Sequence, residues 1–278
     1  MPKKGTWAEA IRLHEQLTNR LARCSAAQGA SAKDASLLVT LRGCSPGNPC
    51  ASAACPKCTY AFQGVKAELV GDLLNTIRVR CTTLTIVPLQ RVPVNADIGV
   101  GKAKIRRFRR RLGRGFDACG ITMVIGAIDI DSSEFPNGEH REHRKLHLHA
   151  LGFHNQVDAG DTALRRYFPN KGSVNRAILT KEYDGSDEWV RYMFKYPNSR
   201  KLRRRDDGGN WMEASYKPLT VDQQLQQARL LHDVGWAGRV YLRGVDLIRG
   251  SRGWQLVLTD LVPEVRDMDR RRGRRSGR

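Results

Sequence analysis

The chain has 278 residues, enough for one large domain or two modest ones with a core that needs no disulfide to close it. Lys and Arg number 48 against 28 Asp and Glu, a formal charge of +20, which points to a polyanionic partner, nucleic acid above all. No run of about 18 apolar residues could span a membrane, no basic cluster has the broad apolar helix face that a membrane surface wants, and Glu9, Arg12 and Glu15 break any secretory h-region; a cytoplasmic chain with no membrane partner and seven reduced cysteines is expected.

Thr6 with Glu9 forms a capping box, and Leu13, Leu17 and Leu21 follow on one face, so residues 6–24 read as a helix. A Ser/Ala/Gly stretch leads to a Cys-rich segment at 42–60 and a helix over 61–76. Residues 78–88, β-branched, alternating and stopped by Pro88, read as a strand. In 102–113 Ile105, Phe108 and Leu112 make a narrow apolar stripe on a helix otherwise filled with Lys and Arg. Residues 120–131 and 145–153 read as an antiparallel pair joined by the polar segment 132–144 with Pro136, Asn137 and Gly138. A short helix (161–168), a strand (173–183) and a helix (186–196) come next, then a linker-like stretch from Pro197 to Pro218. Thr220 caps a helix carrying Val221, Leu225 and Ala228, and two strand-like runs (238–243 and 253–259) precede an Arg-rich tail.

Three groups of residues carry chemistry. Cys44, Cys50, Cys55 and Cys58 place four thiols within fifteen residues, the last two as Cys-Pro-Lys-Cys; together they suit one structural Zn²⁺, and the alternative is a redox pair made of Cys55 and Cys58 alone. His147 and His149 stand at i and i+2 on a strand, which puts both imidazoles on one face with Cα atoms roughly 6.6 Å apart. Asp129, or alternatively Asp131, on the neighbouring strand offers a carboxylate to complete a nitrogen–oxygen site for Mn²⁺ or Mg²⁺. Tyr192 and Tyr196, one turn apart on the expected helix 186–196, offer phenols that can attack a phosphodiester, with Lys195 between them to position phosphate. The DNA-binding candidates are Lys102, Lys104, Arg106, Arg107, Arg109, Arg110 and Arg111 on the basic helix and Arg203, Arg204 and Arg205 in the RKLRRR run.

Taken in order, the CPxC segment, the strand Thr83-Leu84-Thr85, a basic helix, a carboxylate strand, His-hydrophobic-His and Tyr-x-x-Lys-Tyr resemble the HUH endonucleases. Within them the likeness is to the rolling-circle replication initiators of bacterial plasmids and single-stranded DNA phages, and it spans about residues 40 to 200. The resemblance implies that His147 and His149 with Asp129 hold the catalytic metal, that Tyr192 nicks one strand at an origin, and that the enzyme keeps the 5′ phosphate while a 3′ hydroxyl primes synthesis. Tyr196 would then act as a second nucleophile, as in the paired tyrosines of phage initiators. The origin would be a single-stranded or hairpin DNA, and with no G-x-x-x-x-G-K-[ST] loop in the chain, a host helicase and polymerase are the expected further partners.

The expected architecture is α+β: a central antiparallel sheet of about five strands, HUH-endonuclease-like, flanked by helices, with a small Cys-rich zinc subdomain. The expected division is an N-terminal helical segment (1–40), the Cys-rich segment and helix (41–76), the nicking domain (77–200), a C-terminal accessory region (201–262) and a disordered Arg-rich tail (263–278). A relaxase or transposase of the same superfamily, and a zinc-dependent nucleic-acid-binding regulator without enzymatic activity, are the rival readings. The regulator would have no use for His147, His149 and Tyr-x-x-Lys.

Overall fold

A computed structural model of the chain describes residues 6–26, 31–88, 91–93, 98–134, 143–170, 176–209, 211–250 and 253–259. The Thr6 hydroxyl accepts the Glu9 amide (3.1 Å) and opens α1 (Trp7–Ala26), whose buried Ala10, His14, Leu17 and Leu21 recur at helical spacing. Ser31 caps a second helix, α2 (Ala32–Arg42), in place of the expected Ser/Ala/Gly connection; Leu37, Leu38 and Leu41 bury its inner side. Cys55 caps α3 (Pro56–Ile77), with Pro56 as the first helical residue, so the helix starts inside the Cys-rich segment and not at 61.

The strands β1 (Cys81–Ile86), β2 (Arg91–Pro93), β3 (Val124–Glu134), β4 (His143–Phe153), β5 (Ile178–Glu182), β6 (Ser199–Arg205), β7 (Trp211–Pro218) and β8 (Val240–Arg243) form one eight-stranded sheet. Its main path runs β5-β1-β4-β3-β6-β7, with β2 added beside β4 and β8 beside β3. The sheet is therefore larger than the five strands expected, and it is mixed: β6 runs parallel to β3. The stretch 197–218 is a hairpin of this sheet and not a linker; the arginines of RKLRRR hid its strand alternation. Segment 201–262 likewise supplies β7 and β8 to the same sheet, while β9 (Val245–Gly250) and β10 (Gly253–Leu258) pair separately. β3 and β4 extend the central hairpin to Glu134 and back from His143, into the segment expected to be a polar connection. At Gly126 any Cβ would stand 2.3 Å from the His149 carbonyl oxygen, so glycine lets these two strands lie together.

Helices cover both faces. On one face Leu84, Ile128, Ile130, Leu146 and Leu148 pack with Ile105, Phe108 and Leu112 of α4 (Ile98–Ala118) and with residues of α5 (His154–Tyr167) and α7 (Val221–Arg239). On the other, Ile125, Ala127 and Leu151 pack with α3 and with α6 (Asp187–Met193). Helix α5 starts at 154, not 161, because Phe153 ends β4 directly at its N-cap. The Arg-rich tail 263–278, most of the expected connection 132–144, and the first part of the expected strand 173–183 lie outside the described residues.

Candidate metal and tyrosine sites

The four cysteines close around a point. Cys44 Sγ lies 3.7 Å from Cys55 Sγ and 3.5 Å from Cys58 Sγ, Cys50 Sγ lies 3.6 Å from Cys58 Sγ, and all four sulfurs fall within 4.8 Å of one another. A tetrahedron of sulfurs about 2.3 Å from Zn²⁺ has edges of about 3.8 Å, so the thiols stand where the ion's ligands belong. Local structure explains this. Cys55 is the N-cap and Cys58 the third residue of α3, whose amide bonds back to Cys55 Sγ at 3.5 Å, so both sulfurs face one side of a helix start. Hydrogen bonds from the Cys50 and Cys55 thiols hold the Cys58 thiol below the ordinary range. His14 of α1 places Nδ1 3.4 Å from Cys55 Sγ, tying the first helix to the cluster. None of the seven cysteines is in a disulfide, and the cluster is compatible with structural zinc. Sequence reasoning missed His14, a buried polar group on an otherwise apolar helix face.

The second site sits on the sheet face that α3 and α6 cover. Register puts Asp129 directly opposite His147, Ala127 opposite His149 and Asp131 opposite Lys145. By strand alternation His147, His149, Asp129 and Asp131 share one face while Ile128, Ile130, Leu146 and Leu148 fill the other. On the far side of β4, Thr85 pairs with His149, and its Oγ1 lies 3.1 Å from His149 Nδ1. The tautomer that donates from Nδ1 to Thr85 leaves Nε2 bare. His147 is arranged alike, with Nδ1 3.4 Å from Asp131 Oδ2. Both Nε2 atoms are buried and have no hydrogen-bond partner among the described residues. A nitrogen orphaned in this way is what a metal ligand held by a partner at its other nitrogen presents. Burial holds the His147 imidazole down to about 4 even though Asp131 opposes it, and burial with Lys195 holds His149 to about 3, so both rings are neutral at neutral pH and open to a cation.

The carboxylates are otherwise engaged. Lys195 Nζ stands 3.0 Å from Asp129 Oδ2, and Lys201 Nζ of β6 stands 2.7 Å from Asp131 Oδ2. Burial pushes the Asp131 carboxyl up, but His147, Lys201 and Lys195 outweigh it and hold it well below the usual range. Burial likewise works against the Lys195 ammonium, and Asp129 and Asp131 outweigh it, so its pKa is raised. Among the described residues the four cysteines are the single group in which three or more such donors converge. The histidine pair and the expected carboxylate ligand, Asp129 or Asp131, are thus neighbours on one face without converging on one point.

Lys195 also donates to Tyr192 Oη at 3.1 Å, and the Tyr192 ring lies edge-on to His149 with centroids 5.0 Å apart. Trp189, one turn earlier on α6, stacks on Tyr192 at 5.5 Å. Tyr192, Lys195, His147, His149 and the two aspartates therefore form one constellation. Tyr196 does not belong to it, which corrects the expectation that the two tyrosines share a helix face. Helix α6 ends at Met193, and Pro197 keeps the residue before it out of helical geometry. Tyr196 packs against the opposite core, its hydroxyl buried and unpartnered, and burial followed by the Cys55 thiol pushes its pKa up.

Three side chains beyond the reach of sequence reasoning hold the constellation. Between the part of β3 paired with β8 and the part paired with β6, the ladder is open, and side chains of α7 fill the gap. Gln227 Nε2 donates to the Ile130 carbonyl at 3.0 Å. Arg239, 1% exposed, donates from Nε to the Ile128 carbonyl at 3.5 Å and from NH2 to the Lys195 carbonyl at 2.9 Å. Lys201 closes over Asp131 from β6. Arg239 carries no motif, and Lys201 lies in the RKLRRR run without any spacing that would link it to Asp131.

The basic candidates split. Arg109 donates to the Val240 carbonyl at 2.6 Å and the Gly238 carbonyl at 3.3 Å, Arg111 donates to the Tyr167 carbonyl, and Lys102 pairs with Asp233 at 3.6 Å. Arg106, Arg107 and Arg110 face solvent, and Lys104 is half-buried. Arg204 and Arg205 are exposed on the β6–β7 hairpin, with Arg203 half-buried beside them.

The fold and the two sites define a mixed α+β protein: an eight-stranded sheet covered by helices, with a four-cysteine cluster compatible with zinc. Among its described residues no helix is long and apolar enough to cross a membrane. Compared with family models, with curated proteins and with solved structures, the chain has no match.

Proposed function

We propose that the chain is a DNA-nicking strand transferase of the HUH type, serving as a replication initiator, with Tyr192 as nucleophile. The observation that carries the reading is the pair of buried, unpartnered Nε2 atoms of His147 and His149 beside Tyr192, whose hydroxyl receives a hydrogen bond from Lys195. His147 and His149 would hold Mn²⁺ or Mg²⁺, with Asp129, which pairs directly with His147 across the strands, as the carboxylate should Lys195 release it. A divalent ion there, when bound, acts as a Lewis acid on the scissile phosphate.

The chain's own residues account for the rest. Thr85 and Asp131 engage the two imidazoles at their Nδ1 atoms, which leaves Nε2 of each for a ligand. Tyr192 Oη attacks phosphorus in line, a Tyr–O–P bond forms, and the bond from phosphorus to the 3′ oxygen breaks. The leaving oxygen ends as a 3′ hydroxyl, taking up a proton as the phenol gives one up, and reversal rejoins the strand. Lys195, held as an ammonium by two carboxylates, places positive charge beside the attacking oxygen throughout. The four-cysteine cluster takes no part in the chemistry and fastens α1 and α3 together.

The test is to incubate the chain and Mn²⁺ with single-stranded oligonucleotides tiled across the DNA that flanks its reading frame. The expected result is a protein–DNA adduct stable to boiling in detergent, with a free 3′-hydroxyl fragment, lost on EDTA treatment and in Tyr192→Phe. An adduct that survives Tyr192→Phe would remove this tyrosine from the mechanism. No adduct at any tile, with tight DNA binding retained, would favour the regulator reading.

A further inference from the structure

We propose that the outward row of arginines on α4 is a second nucleic-acid site, one that grips duplex DNA by its phosphates on the layer opposite Tyr192. Ile105, Phe108 and Leu112 of α4 pack against Ile128, Ile130, Leu146 and Leu148, the residues that alternate with Asp129, Asp131, His147 and His149. The helix therefore lies behind the sheet as seen from the nucleophile. Its exposed residues include Arg106, Arg107, Arg110 and Arg114, which point further away still. One sheet and one helix, roughly 15–20 Å of protein, separate the row from Tyr192. A single strand seated on the tyrosine would have to pass around the sheet to reach it.

The composition of the row selects its partner. From Arg106 to Arg114 the side chains span about 12 Å of helix axis, and Arg166, exposed at the end of the neighbouring α5, extends the patch. These five arginines take no partner among the described residues, whereas the nearby acids are neutralised: Asp117 by Arg243, Asp161 by Arg165 and Asp233 by Lys102. The α4 aromatics, Phe108 and Phe116, are both fully buried, so the row offers no platform for unstacked bases. The β6–β7 hairpin differs, because there Tyr216, 49% exposed, stands beside the arginines and Lys201. Charge without stacking surface fits a backbone that is already paired, and duplex carries one charge per about 1.7 Å of axis.

The surface stands independently of the nicking chemistry, and binding alone tests it. The full chain is titrated by fluorescence anisotropy against a labelled duplex of arbitrary sequence and against oligo-dT, across a range of salt concentrations. The combined Arg106→Gln, Arg110→Gln, Arg114→Gln variant should lose at least tenfold in duplex affinity, with a salt slope lower by about 2.7, from about 0.9 per phosphate contact. Its affinity for oligo-dT should change less than threefold. The combined Arg106→Lys, Arg110→Lys, Arg114→Lys variant should keep duplex affinity within about threefold, since phosphates read charge. Should the triple glutamine variant fail to fold, Arg110→Gln alone should lower the slope by about 0.9. Equal losses on duplex and oligo-dT would mean one shared groove and overturn the proposal. So would a duplex affinity or slope unmoved by these changes, or a native chain that does not bind duplex.

Discussion

The cysteine cluster and the histidine pair are built in opposite ways. The four thiols come from one short stretch around the start of α3, converge within 4.8 Å, and leave no direction open. The two imidazoles sit on a central strand and each keep one buried nitrogen bare among the described residues, while the carboxylates beside them are held by Lys195 and Lys201. A closed set of soft donors serves the fold. An open pair, surrounded by charges that balance one another, is what the proposed function would need beside a reacting phosphate. The contrast gives a rule of thumb: where donors converge, look for stability, and where they stop short beside a nucleophile, look for chemistry.

The sharpest way to break this comparison is to damage each site equally and read stability. Cys55→Ser, or removal of metal by a strong chelator under mild denaturant, should unfold the packing of α1 on α3 and lower the melting temperature by more than about 10 °C, since a structural zinc contributes its binding free energy to folding. His147→Ala should shift it by less than about 4 °C, by calorimetry. Comparable losses would mean that the histidines are as structural as the cysteines.

A middle-sized effect is expected at Arg239, which belongs to the second site through the backbone. Arg239→Met strips the Ile128 and Lys195 carbonyls of donors and should cost about 2–6 kcal/mol in urea unfolding, from about 1–3 kcal/mol per buried group left unpaired. Arg239→Lys, which can restore one bond, should recover part of it. A cost under about 1 kcal/mol for Arg239→Met would show that the gap in β3 needs no such plug.

Arg239 also marks where the sequence stops being legible. The His-x-His alternation, the four-cysteine spacing and the Thr220 cap are local patterns, and the structure places each where its pattern requires; Thr220 and Gln223 even form a reciprocal capping box. What could not be read depends on contacts between distant segments. Helix α2 has a short, unpatterned sequence whose burial comes from α1. Strand β6 lost its signal under the arginine run and is defined by its parallel pairing with Ser132, Ser133 and Glu134. Lys201 and Arg239 reach the site from such elements, so no spacing rule could find them. The basic helix was legible as a helix, but not which arginines face inward.

That inward set gives a smaller test. Arg109→Ala leaves the Gly238 and Val240 carbonyls short of a donor and should cost about 1–3 kcal/mol. Arg106→Ala, at an exposed position, should stay within about 0.5 kcal/mol of the native chain. Matching values would dissolve the distinction between the bracing and the outward arginines.

The smallest effect, and the one that sharpens the comparison most, separates the two tyrosines. They stand four residues apart, yet the end of α6 at Met193 and the proline at 197 turn them to different places: Tyr192 to His149 and Lys195, Tyr196 toward the cysteine side of the core. The Tyr196 hydroxyl is buried without a partner among the described residues, so burial costs it solvation. Tyr196→Phe removes that penalty while keeping the ring, and should leave stability unchanged or raise it by up to about 1 kcal/mol. Tyr192→Phe deletes an acceptor from a half-exposed site where Lys195 still has Asp129, and should move stability by less than about 0.5 kcal/mol. In stability, then, the pair differ little. In adduct formation on a single-stranded substrate they should differ completely, with Tyr192→Phe forming none and Tyr196→Phe forming as much as the native chain. If Tyr196→Phe instead lost the adduct while staying folded, the turn after α6 would have to swing Tyr196 across to the histidine face during reaction, and the division between a closed, structural side and an open, reactive one would fail at this residue.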